Sequence, residues 1–88
     1  MELVDWSYGR RYQIKAIFSA FPNSTVIFRS FPSYYFIYTV KWSDADPVVT
    51  RDDLVTMEKM INDMLGLLDN YEMRLSRRAS VKEAERNG

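Results

Sequence analysis

The chain of 88 residues contains no cysteine and no histidine. Lack of cysteine excludes a disulfide framework and a thiolate nucleophile. Lack of histidine removes the usual general base, the commonest metal ligand and the natural pH switch. Glycine is scarce, at three residues, and none belongs to a phosphate-cradling loop motif. The longest apolar run lies inside Tyr34 to Val40, far below the roughly 20 residues that span a bilayer. The opening MELVDW carries acid where a signal peptide needs a basic segment. Together these absences predict a soluble cytoplasmic protein with no cofactor, no metal and no membrane association.

An excess of charge is also missing: twelve basic residues balance twelve acidic ones. A dedicated nucleic-acid binder draws most of its affinity from neutralised phosphates and needs that excess. The charges are nevertheless segregated. Residues 1–41 hold five basic against two acidic side chains, a net +3, and residues 42–63 hold two against six, a net −4.

What is present is aromatic and aliphatic patterning in a chain with no linker or internal repeat, hence one domain, 1–88. Residues 1–9 read as a lead-in, irregular or a short extra strand. Between Arg11 and Phe21 the positions Tyr12, Ile14, Ala16, Phe18 and Ala20 alternate with polar neighbours, the period of a half-buried strand. Pro22 to Ser24 signals a turn, Thr25 to Phe31 a second strand, Pro32 and Ser33 a further turn, and SYYFIYTVKW, Ser33 to Trp42, a third strand. Thr50 with Asp53 three residues on forms a variant of the capping box. Beyond it Leu54, Met57, Ile61, Met64, Leu68, Tyr71 and Leu75 recur at steps of three and four. The expected fold is α+β, a three-stranded antiparallel β-meander over residues 10–42 packed on one long C-terminal helix over 50–78. A charged tail, 79–88, should fray. At about 42 Å such a helix outruns a ten-residue strand of about 33 Å.

No motif names a reaction. Asp44 with Asp46, and Asp52 with Asp53, are the only carboxylate clusters, and they read as turn formers and helix-start residues rather than metal ligands. The segment RRASV, Arg77 to Val81, resembles the substrate pattern of basophilic kinases such as the cyclic-AMP-dependent enzyme, which would place a phosphate on Ser80. Met57, Met60 and Met64 are assigned to the core and Met73 to the surface.

SYYFIYTVKW is apolar at odd and even positions alike, so both of its faces need cover. The helix is expected over Tyr12, Ile14, Phe18, Tyr34, Phe36, Tyr38, Val40 and Trp42. The opposite face then holds Ile17, Ile27, Phe31, Tyr35 and Ile37, with Lys15, Arg29 and Lys41 at its margin. Apolar groups rimmed by charge have the composition of a protein-binding surface, and these eight residues are the expected partner contacts. Leu68, Tyr71 and Leu75 on the overlong helix are expected self-association contacts. In its small size, absence of histidine and cysteine and wealth of aromatics, the chain resembles phage-encoded proteins that disable host machinery, anti-CRISPR proteins among them. The resemblance implies a non-enzymatic inhibitor that occludes a site on a larger host complex, in the host cytoplasm. Two alternatives use nearly the same surface: a single-stranded nucleic-acid binder, for which no segment fits the RNP1 pattern, and a structural homodimer or assembly subunit.

Overall fold

The computed structural model of the chain describes residues 1–75. The tail 79–88, the end of the expected helix and Ser80 lie outside them. The fold is α+β: an antiparallel sheet followed by C-terminal helices. Strands β1 (Leu3–Tyr8), β2 (Ile14–Phe18), β3 (Phe21–Phe31) and β4 (Tyr34–Lys41) lie in the order in which they occur along the chain. Helix α1 runs over Arg51–Met64, and a second helix, α2, occupies 68–75 among the described residues. Four strands and two helices therefore replace the expected three strands and one helix. The lead-in is a full strand, β1, paired with β2 through Tyr8↔Ile14 and Trp6↔Ala16.

Ile14, Ala16 and Phe18 of β2 and Val26 and Phe28 of β3 are each no more than 1% exposed, and Met57 and Ile61 of α1 close over them. Removing a side chain of this size from water stabilises by about 1.5–3 kcal/mol, so this layer dominates folding. The start of α1 is fixed as the sequence predicts. The Thr50 hydroxyl accepts the Asp53 N–H at 3.1 Å, and the Asp53 carboxylate accepts the Thr50 N–H at 2.9 Å.

Three departures from the expected sheet share one cause, residues inserted into a ladder. The β2–β3 turn falls at Ser19 and Ala20, with Phe18 paired to Phe21. Pro22 to Thr25 then bulge opposite the single residue Ile17 before pairing resumes at Val26↔Ala16. Pro22 has no N–H to give a ladder, so a bulge suits it. The N–H of Asn23 goes instead to the Asp46 carboxylate at 3.0 Å. A second bulge sits at Val4, and a third at Tyr38, between the pairs Ile27↔Thr39 and Phe28↔Ile37.

The bulge at Tyr38 explains SYYFIYTVKW. One inserted residue exchanges the faces of everything on one side of it, so Tyr35 and Ile37 before the bulge and Val40 after it all pack on the core. Tyr34, Phe36 and Tyr38, expected under the helix, alternate to the opposite face. Tyr12, also expected there, is 78% exposed in the β1–β2 turn. Met64 is 39% exposed and stands outside the core to which its spacing assigned it.

The long helix is broken at Gly66, whose φ of +75° is left-handed. The Leu67 N–H bonds the Asn62 carbonyl at 2.7 Å, and the Gly66 N–H bonds the Asp63 carbonyl at 3.1 Å. These two bonds form a Schellman ending, which satisfies carbonyls that the helix leaves open. The chain thereby turns α2 back beside β4 instead of projecting past the sheet.

Candidate binding face

Both helices lie on one side of the sheet or along its β4 edge, and α1 packs chiefly on β4. That edge is closed by side chains. Asn62, wholly buried, accepts the Tyr35 N–H on Oδ1 at 2.7 Å and donates from Nδ2 to the Tyr35 carbonyl at 2.9 Å. Its amide thus offers the β4 backbone what a fifth strand would offer. A second bond from Nδ2, to the Glu58 carbonyl at 2.8 Å, fixes the orientation of that amide.

One helical turn away, Glu58 Oε2 accepts the Ile37 N–H at 2.7 Å, and Glu58 Oε1 accepts the Tyr71 hydroxyl at 2.7 Å. Burial pushes the Tyr71 phenol far above its ordinary value, and its bond to Glu58 and the charge on that carboxylate add to the shift. Tyr71 also packs on Tyr34, ring centroids 5.9 Å apart. An unpaired strand edge is a template for adventitious pairing, and Asn62 and Glu58 occupy this one at Tyr35 and Ile37, with Tyr71 holding the Glu58 carboxylate.

Asp46 joins the bulge of β3 to the chain that leaves β4. It accepts the Ser24 hydroxyl at 2.6 Å and the Asn23 side-chain amide at 3.0 Å, while Ser24 Oγ accepts the Ser43 N–H at 3.0 Å. Partial desolvation raises the Asp46 carboxyl, but the bonds from Ser24 and Asn23 outweigh it, and the group lies below its ordinary value.

Among the described residues no helix lies across the opposite face of the sheet, but α2 reaches its β4 margin, where Tyr71, Arg74 and Leu75 stand beside Phe31, Tyr34 and Phe36. The pairings place Lys15 and Ile17 of β2, Ile27, Arg29 and Phe31 of β3, and Lys41 of β4 on this face. These are six of the eight expected contacts. Lys15, Arg29 and Lys41 are exposed, Ile17 is half-buried, Phe31 is 47% exposed and Ile27, at the centre, only 7%. The apolar centre at Ile27 is therefore already covered by its neighbours within the chain. Tyr35 and Ile37 are the correction: the Tyr38 bulge puts them on the core side, half-buried, with their N–H groups held by Asn62 and Glu58.

Phe36 and Tyr38 take their place on the open face. The Arg29 guanidinium lies 3.5 Å above the Tyr38 ring. Phe31 meets Phe36 edge-on at 5.9 Å, and Tyr34 at 5.7 Å. Of the expected self-association contacts, Leu68 and Leu75 are half-buried. Tyr71, 2% exposed, is a core residue of its own chain. The network of Glu58, Asn62 and Tyr71 had one signal in the sequence. Glu58 and Asn62 stand four apart on the flank of the apolar stripe Leu54, Met57, Ile61, where a polar side chain needs a partner.

Among the described residues no group of three or more carboxylates stands close enough to hold a metal ion. Nor, among them, is any helix long and apolar enough to cross a membrane. No curated protein and no solved structure shows significant similarity to the chain. A family model described as "Uncharacterised protein YuzH" matches residues 2–76, a span that takes in all four strands and both helices as described. The chain belongs to the YuzH family.

Proposed function

We propose that the chain is a non-enzymatic module that binds another protein through the open face of its sheet. The observation that carries this reading is the placement of Ile17, Phe31, Phe36 and Tyr38 on a face that no helix crosses among the described residues, together with Lys15, Arg29 and Lys41 and with α2 only at the Phe31 and Phe36 margin. The fitting partner has an apolar centre with carboxylates at its rim, since aromatic anchors supply affinity and charge supplies orientation.

The ring geometry favours a protein over a single-stranded nucleic acid. Base stacking needs a free ring face, whereas Arg29 covers one face of Tyr38, and Phe31, Tyr34 and Phe36 are turned against one another. Neither the family nor the geometry points to phage-encoded inhibitors in particular, so the proposal rests at protein binding.

A photo-crosslinking side chain at Phe31, compared with the same probe at exposed Lys59 on α1, tests it in cells. The expected result is a protein adduct from position 31, resistant to nuclease, that disappears with Arg29→Glu. A nuclease-sensitive adduct would transfer the face to the nucleic-acid reading. Equal adducts from both positions would remove the assignment.

A further inference from the structure

On the side that α1 covers, Trp6 and Tyr8 of β1 remain 37% and 60% exposed. Beyond Tyr8 the chain turns through Gly9 to Gln13, closed by the Gly9 N–H to the Gln13 carbonyl at 2.7 Å and the Gln13 N–H to the Arg10 carbonyl at 3.2 Å. Inside that turn Arg11 and Tyr12 both adopt left-handed backbone, φ 54° and 62°. Left-handed backbone is costly for a residue that carries a β-carbon, and glycine or asparagine would make the same turn with less strain.

The strained turn sets Gly9, Arg11 and Tyr12 around a concavity of about 720 Å³ that Tyr8 and Tyr35 complete. Backbone strain of this kind clusters at ligand clamps, and the depression is open to solvent on its outer side, with Tyr8 60% and Tyr12 78% exposed. Burial raises the Tyr35 phenol above its ordinary value, and the nearby Tyr8 phenol adds to the shift.

The lining is chemically one-sided: three phenol rings, one guanidinium and no carboxylate. Arg10 is exposed in the same turn. Lys15 runs along the outside of it, its Cε 3.7 Å from where a β-carbon on Gly9 would stand. Phenol rings stack planar aromatic groups, and a guanidinium takes an anion in two parallel hydrogen bonds. A cationic ligand, which a cage of tyrosines alone would suit, is repelled by Arg11.

We propose that the cup formed by Tyr8, Gly9, Arg11, Tyr12 and Tyr35 binds a small planar aromatic anion, its ring against the tyrosines and its negative group on Arg11. A nucleoside monophosphate and an aromatic carboxylate share this chemistry. The site is separate from the open face and independent of what that face binds.

Titration of the full chain with adenosine monophosphate, 4-hydroxybenzoate, adenosine and inorganic phosphate tests the proposal. Fluorescence of Trp6, whose ring lies 5.3 Å from that of Tyr8, and backbone amide shifts report binding. Saturation by one of the two aromatic anions in the millimolar range or below, with shifts centred on residues 8–12 and Tyr35, is expected, and which anion saturates identifies the source. Adenosine and phosphate, each lacking half of the recognition, should bind at least about tenfold more weakly.

Arg11→Gly separates strain from recognition. It should raise the unfolding midpoint yet weaken the anion by about ten- to a hundredfold, the worth of a charge-assisted hydrogen bond. No saturation by either anion at millimolar concentration, shifts centred elsewhere, phosphate matching the aromatic anions, or unchanged affinity in Arg11→Gly would each overturn the proposal.

Discussion

Replacing Asn62 tests whether the β4 edge is held by side chains. In the native fold its amide makes three hydrogen bonds, two of them to the backbone of Tyr35, and the side chain is fully buried. Asn62→Ala leaves the Tyr35 N–H and carbonyl and the Glu58 carbonyl without that partner. A group left unsatisfied in a buried site costs about 1–3 kcal/mol. Tyr35 is half-buried, so water can recover part of the loss. Counting the two Tyr35 groups at the low end and adding a small cavity gives a destabilisation of about 2–4 kcal/mol.

That is a large share of the roughly 5–15 kcal/mol that holds a folded domain. For a chain of this size it lowers Tm by roughly 10–20 °C. Urea unfolding followed by circular dichroism measures the change, and amide exchange at Tyr35 and Ile37 locates it. Asn62→Leu restores volume without hydrogen bonds and should recover less than half of the loss. If both variants stay within about 0.5 kcal/mol of the parent, the range of ordinary surface changes, and exchange at Tyr35 is unaltered, the edge-closing argument is refuted.

Other substitutions probe single features. Because the Asp46 carboxyl lies below its ordinary value in the folded state, the stability it contributes is complete above the unfolded pKa, about 4, and is lost as pH falls through the folded value. Asp46→Asn should flatten the acid limb of a plot of urea midpoint against pH, and an unchanged limb would contradict the assignment. Tyr71 is shifted the other way, so its contribution is complete below about pH 10 and is lost as pH rises above it. Tyr71→Phe should cost about 1 kcal/mol at neutral pH and soften the alkaline unfolding limb, both read from urea melts. Gly66→Ala should cost about 1–2 kcal/mol purely through its left-handed backbone, since a β-carbon there meets nothing within 4 Å. Gly66→Asn should cost less in the same melts.

The capping box at Thr50 and the turn at Pro32 and Ser33 were legible because each is written in adjacent residues whose chemistry is local. The bulges were not. An inserted residue leaves the alternation intact on either side and only exchanges the faces, so Tyr35 and Ile37 read as outward and Phe36 and Tyr38 as inward. Apolar residues at both parities of SYYFIYTVKW were the trace of that exchange. The helix break was hidden by a different coincidence. The step from Met64 to Leu68 keeps the apolar rhythm across Gly66, although the backbone there is no longer helical. For the open face, Lys15, Ile17, Ile27, Arg29 and Phe31 could be read from period-two patterning alone, because no residue is inserted within β2 or within Val26 to Phe31 of β3, and Lys41 kept its expected face because it lies beyond the Tyr38 bulge. The strained cup left no sign, since neither Arg11 nor Tyr12 is a residue type that favours positive φ.

Whether the open face of the sheet is free to take another protein is read from the molar mass of the purified chain. Size-exclusion chromatography with light scattering, over a wide concentration range and with Ile17→Glu alongside, gives it. A monomer throughout and no change of mass in the variant are expected. A dimer that persists on dilution and dissociates in Ile17→Glu would contradict a free face, because the face would then be covered by a second copy of the chain.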